Sequence, residues 1–225
     1  MKADNVCSPC SRRWTPLFLL IILVGTCAYG YVLTHFGPVS FDAPILMWFR
    51  DSGDAGRLAG PEWITDFWLS LTWLGDTAPR IVVAVLTILA LFLLHRWRTA
   101  LFLAWVLISG ITLSTALKYW LARPRPQLVS HFDQFSSMSY PSGHALNSTL
   151  FYLVIVLVIA PLLKKPSIRF GIYVLVFTLS IAIGISRIAL GVHWPSDVLA
   201  GWIIASAWAF LWLEIAKRNW PKVLT

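Results

Sequence analysis

Trp63-Ile-Thr-Asp-Phe-Trp-Leu-Ser-Leu-Thr-Trp-Leu-Gly75 is the stretch on which the topology turns. It is apolar, yet Asp66 interrupts it, and its roughly 13 residues fall short of the ~20 a helix needs to cross ~30 Å of hydrocarbon. Trp63, Trp68 and Trp73 suit the membrane–water boundary, where indole rings gather. The expectation is a helix lying at the membrane surface. A separate crossing here would put every later element on the opposite side.

Six long apolar runs surround this stretch, at 18–34, 81–94, 99–121, 145–163, 170–190 and 198–216. Apolar side chains make up 58% of the 225 residues and charged ones 12%. Soluble chains carry roughly 25% charged residues, and no soluble domain of this size has interior enough for so much hydrocarbon. Disorder, coiled coil and a disulfide-stapled scaffold are excluded. The expected fold is all-α: one membrane-embedded domain over 1–225, with six transmembrane helices, a cytoplasmic tail at 1–16 and an outer interfacial segment at 35–80. Cys7 and Cys10 in the tail read as reduced thiols, because no second pair or His cluster follows to complete a zinc site.

The net charge of +8 is a topological signal rather than a nucleic-acid one. With six spans and an inside N-terminus, the inner segments hold Lys2, Arg12, Arg13, Arg96, Arg98, Lys164, Lys165, Arg169, Lys217, Arg218 and Lys222. That is 11 of the 18 basic residues, against only Asp4 and Glu214 as acids. The asymmetry follows the positive-inside rule, so both termini are expected in the cytoplasm.

On that topology three polar clusters emerge on the outer face. Lys118, Arg123 and Arg125 end the third span, His144 opens the fourth, and Arg187, His193 and Asp197 straddle the turn between the fifth and sixth. Lys118, Arg125 and Arg187 form a seat for a multiply charged anion, since guanidinium forks match phosphate oxygens and an ammonium adds a point charge. Ser142 and Gly143 follow Pro141 at an expected helix N-terminus, where backbone N–H groups favour an anion. His193 can be held by Asp197 four residues on, leaving its other nitrogen to attack phosphorus, and His144 can protonate the leaving oxygen. No metal motif, carboxylate cluster or Walker loop is present, so neither metal nor other cofactor is expected.

These residues carry a family resemblance. Lys118-Tyr-Trp-Leu-Ala-Arg-Pro-Arg125-Pro126 fits K-x6-R-P, Pro141-Ser-Gly-His144 fits P-S-G-H, and Ser186-Arg187 with His193 and Asp197 fits S-R-x5-H-x3-D. The three, in this order over 118–197, resemble the type 2 phosphatidic acid phosphatase superfamily. The resemblance implies a six-helix membrane fold in the bacterial cytoplasmic membrane and a covalent phosphohistidine mechanism. It makes His193 the nucleophile, Asp197 its orienting partner and His144 the acid. Lys118, Arg125, Ser142, Gly143 and Arg187 become the phosphate ligands. A membrane lipid phosphate is the implied partner, with undecaprenyl pyrophosphate favoured over phosphatidylglycerol phosphate, phosphatidic acid and lipid A phosphates.

Arg123 repeats the Arg-Pro dipeptide two residues early and reads as a neighbour touching lipid headgroups or nothing. His131 and Asp133 read as solvated loop residues, and Trp120 and Trp194 as candidates for lipid contact. Two other activities compete. A lipid phosphotransferase would pass the phosphoryl group to another lipid, which the residues do not discriminate. A transporter would carry charges through its spans, whose middles lack them.

Overall fold

A computed structural model of the protein describes residues 11–134 and 137–220, so Cys7 and Cys10 lie outside the described residues. Among the described residues, six helical stretches are long and apolar enough to span a membrane. The first is α1 (Ser11–Phe36). A short α2 (Asp42–Trp48) and an antiparallel hairpin, β1 (Arg50–Asp51) with β2 (Asp54–Leu58), follow. Then come α3 (Ile64–Trp73), α4 (Thr77–Leu93), α5 (Trp97–Leu121), α6 (Gly143–Ile159), α7 (Pro166–Ala189) and α8 (Pro195–Asn219).

The count of six holds, but the second span begins earlier than the hydropathy suggests. α3 and α4 lie three residues apart and form one apolar stretch of 30 residues, Ile64–Leu93. The Trp63–Gly75 stretch forms a helix of its own, α3, packed against α7 and leading into α4. Its Thr72 is buried because it meets a side chain of α7. The small hairpin was also not expected. Arg50 anchors it from within, donating Nη1 to Ala189 O at 2.7 Å at the end of α7, with its guanidinium 5.5 Å from the Phe132 ring centroid. Burial pulls the Arg50 pKa down to about 10.

α6 is the central helix. Of its spanning window 67% is buried within the protein, against 17% for α7, and it packs on α4, α5, α7 and α8. A helix apolar all round fits that position, since it needs no solvated face. α4 shows the peripheral pattern: Arg80, Ala84, Thr87 and Leu91 form one buried stripe at helical spacing, and Ile81, Val82, Val85 and Leu86 face outward.

The helix ends that matter are set locally. Ala122 takes a left-handed conformation (φ 48°) and closes α5, after which Arg-Pro-Arg-Pro cannot continue a helix. Ser142 caps α6, its Oγ accepting from Ala145 N, and Pro195 starts α8 at a position that needs no N–H. α6 and α8 cross closely at this end. A Cβ on Gly201 would stand 3.0 Å from Ala145 Cβ, Leu146 N and Ser142 O. Gly201→Val is accordingly expected to lose about 1–3 kcal/mol to overpacking. That exceeds the under ~1 kcal/mol of helix propensity gained. A lowered melting temperature in detergent checks it.

Candidate active site

The three sequence clusters meet at one end of the bundle. Lys118, in the last turn of α5, runs past the start of α6, its Cε 3.3 Å from where a Cβ of Gly143 would sit. Ser142 N donates to Asp197 O at 3.0 Å, joining the first turn of α6 to that of α8. His193 lies in the tight turn between α7 and α8 and is buried. Its pKa falls well below the ordinary imidazole value, first through burial and then through the charges of Arg125, Lys118, Arg187 and His144.

The hydrogen bonds assign the tautomer of His193. Arg125 Nη1 stands 3.2 Å from Nε2, and a guanidinium can only donate, so Nε2 holds a lone pair and the proton sits on Nδ1. Nδ1 does not reach Asp197 directly, being 3.6 Å from Oδ2. Ser139 Oγ lies between them, 3.4 Å from Nδ1 and 2.5 Å from Asp197 Oδ2. The expected His193–Asp197 pair is thus present at 3.6 Å, longer than a hydrogen bond, with Ser139 Oγ beside both partners. The cause is that Asp197 Oδ2 also caps its own helix, accepting Trp194 N at 3.0 Å, which keeps the carboxylate back from the ring.

Asp197 is fully buried and shares a cation with a second carboxylate. Arg123 donates Nη1 to Asp197 Oδ1 at 2.5 Å and Nη2 to Asp42 Oδ2 at 3.1 Å, and all three side chains are 2% exposed or less. Asp42 also accepts from Ser196 N and Oγ. Arg123 is therefore neither idle nor at the headgroups: it is the countercharge of the buried pair. The doubled Arg-Pro dipeptide was the signal that could have marked it.

Five other groups at or near the site were missed or misread. Asp133 is not a free loop carboxylate, because its Oδ2 accepts from Arg187 Nη1 at 2.5 Å. Thr72 Oγ1 meets the same nitrogen at 2.7 Å. Asp76 Oδ1 lies 2.7 Å from His144 Nε2. Trp194 is buried, its indole donating to Pro124 O, so it does not touch lipid, whereas Trp120 is 66% exposed on the bundle surface. His131 folds back onto Pro126 O at 2.6 Å.

Ser137 and Met138 lie against the cation cluster. Lys118 Nζ donates to Met138 O at 2.7 Å, and Arg125 reaches Ser137 O and Val192 O. Burial, then the neighbouring charge of Arg187, lowers the Arg125 pKa to about 10, still far above neutrality. The cations of the cluster are thus bound to carbonyl or carboxylate oxygens, the ligand type a phosphate presents.

Known proteins resemble this chain in sequence and in fold. The profile of the PAP2 superfamily matches residues 99–221, more than half of the chain. Phosphatidylglycerophosphatase B of Bacillus subtilis is 29% identical over 160 residues, covering 70% of this chain and 77% of that one. Undecaprenyl-diphosphatase of Sulfolobus acidocaldarius is 31% identical over 117 residues, 50% of this chain and 52% of that one. The crystal structure of the first transmembrane PAP2 type phosphatidylglycerolphosphate phosphatase from Bacillus subtilis superposes with a TM-score of 0.76 at 25% identity, covering 92% of this chain and 98% of that one. With half the chain matched and the six-span fold shared, the chain belongs to the PAP2 superfamily and is a multi-pass membrane phosphatase of that family.

Proposed function

We propose that the protein removes the terminal phosphate of a lipid phosphate or pyrophosphate, undecaprenyl pyrophosphate being the favoured substrate. The site lies at the outer face of the bacterial cytoplasmic membrane, with both termini in the cytoplasm. The single observation that carries this reading is the placement of His193: buried between α7 and α8, with Nε2 3.2 Å from Arg125 Nη1. Neutral Nε2 attacks phosphorus in line, the bond from phosphorus to the lipid-side oxygen breaks, and His144 gives that oxygen its proton. Water then attacks the phosphohistidine while His144 takes the proton back. Lys118, Arg125 and Arg187, with the backbone of Ser142 and Gly143, hold the equatorial oxygens as charge builds on them.

The position of the site suits a lipid. It sits where α5 ends and α6 and α8 begin, and Tyr119 and Trp120 beside Lys118 are 82% and 66% exposed toward the surrounding bilayer. A tail can stay among lipids while its headgroup enters the cluster.

The test is phosphate release by the purified chain in detergent, across undecaprenyl pyrophosphate, phosphatidylglycerol phosphate, phosphatidic acid and a lipid A phosphate. Undecaprenyl pyrophosphate is expected to give the highest kcat/KM, and a different winner replaces it as the substrate. Adding an acceptor lipid leaves the free-phosphate yield unchanged in a hydrolase and lowers it in a phosphotransferase. Because side-chain cations supply the charge, EDTA is expected to leave the rate unchanged. Reversible silencing by EDTA overturns that mechanism.

A further inference from the structure

We infer that Asp76 is a positioning residue for His144, the carboxylate that aims the leaving-group acid. The inference rests on the reading of His144 as that acid and extends it to a part of the chain outside all three motifs.

Asp76 occupies the N-cap of α4 with extended backbone (ψ 164°), the place where an aspartate ordinarily accepts an N–H of its own helix, a bond worth ~1 kcal/mol. It makes no such cap bond. Oδ1 instead meets His144 Nε2 at 2.7 Å, 68 residues away in sequence. The carboxylate has left a local partner for a distant ring.

The backbone that carries it is clamped on both sides. Arg80 Nε donates to Gly75 O at 2.8 Å and to Asp76 O at 3.0 Å, and its guanidinium lies over Phe151 of α6. Tyr152, also on α6 and on the face of His144 two turns away, donates its hydroxyl to Leu74 O at 2.6 Å. Gly75 lets the corner approach the ring: a Cβ there would stand 3.1 Å from His144 Cδ2 and 2.5 Å from Ile183 Cγ2. Two side chains and a glycine therefore hold the break between α3 and α4 against the first turn of α6.

The chemistry follows from donor and acceptor roles. An ionised carboxylate only accepts, so Nε2–H of His144 donates to Asp76, and the imidazolium form of the ring passes its second proton, on Nδ1, to the leaving oxygen, leaving a neutral ring that takes a proton back from water. Without the carboxylate the ring is free to flip or to take the other tautomer, and the acid is misaimed. Each histidine of the site then has its own carboxylate, Asp197 through Ser139 for the nucleophile and Asp76 directly for the acid.

The test compares leaving groups. An alkyl lipid phosphate needs a proton on its departing oxygen, whereas the phenolate of 4-nitrophenyl phosphate leaves without one. In the full-length chain, Asp76→Asn is expected to lower kcat on the lipid phosphate by about 10–100-fold, part of the ~10²–10⁴ that acid catalysis supplies. On the aryl phosphate it loses less than about 3-fold, and KM is unchanged on both. Asp76→Glu recovers part of the lipid rate. His144→Ala, measured alongside, shows the same bias with a larger loss. Equal losses on the two substrates, or none, in an Asp76→Asn protein with unchanged melting temperature overturn the role of Asp76 if His144→Ala remains selective. Absence of selectivity in His144→Ala instead overturns the reading of His144 as the acid. Should Asp76→Asn not fold, Asp76→Ser carries the same comparison.

Discussion

His193→Ala abolishes phosphate release, by on the order of 10⁴-fold or more, the scale on which covalent enzymes lose rate when the nucleophile is removed. The loss is chemical rather than structural. Asp197 keeps Arg123, Ser139 and Trp194 N as partners when the imidazole is gone, so no buried charge is stranded. The variant is expected to purify as a folded protein and to yield no acid-labile phosphoenzyme after a quench with radiolabelled substrate. Because burial and the four neighbouring groups hold His193 neutral to unusually low pH, phosphoenzyme formation by the parent protein keeps its rate below the ordinary imidazole pKa of ~6.5. Turnover within about 10-fold of the parent in His193→Ala, or an acid limb centred above pH ~6.5, sinks the assignment.

Arg123→Ala is expected to be the most destabilising single change at the site. It removes the shared countercharge of Asp42 and Asp197, both fully buried, and leaves two carboxylates facing the same void. Breaking a buried pair in this way costs about 3–5 kcal/mol. At roughly 2–4 °C per kcal/mol for a chain of this length, the melting temperature falls by about 6–20 °C. Arg123→Lys gives little rescue, because one ammonium cannot serve two carboxylates that Nη1 and Nη2 reach separately. Adding Asp42→Asn to Arg123→Ala restores part of the loss by removing one stranded charge. A melting temperature within 2 °C of the parent in Arg123→Ala, on the same ~2–4 °C scale, contradicts the account of the network.

The contrast between the two variants follows from what each residue is attached to. His193 is held by its neighbours but holds little in return, so its loss is read in rate. Arg123 joins α2, the end of α5 and the start of α8 through Asp42 and Asp197, so its loss is read in stability.

Hydropathy and spacing were enough for the six crossings and for gathering the motif positions at one end of the bundle, since both are properties of short stretches. A run of apolar residues must find lipid or a helical neighbour whatever else the chain does. Lys118 and Arg125, Ser142 to His144, and Arg187 to Asp197 sit at the ends of such runs, and the alternation of crossings alone sends them to one side. Trp63–Gly75 was less legible: Asp66 and the Gly75–Asp76 break mark it off as a short separate helix, and only the structure shows α3 leading through three residues into α4 as one apolar stretch of 30 residues.

What only the tertiary structure decided is which loop and linker side chains land on the motif residues. Ser139 between His193 and Asp197, Asp133 and Thr72 on Arg187, Asp76 on His144 and Asp42 on Arg123 are contacts across 54 to 115 residues where the partners are side chains from different elements. A carboxylate or hydroxyl in a polar loop satisfies itself equally well in water, so nothing in its own neighbourhood of sequence says whether it does. Its partner is chosen by the close crossing of α6 on α8 at Gly201 and by the clamped corner at Gly75, which bring particular oxygens within reach of particular nitrogens and exclude the water that would otherwise take their place.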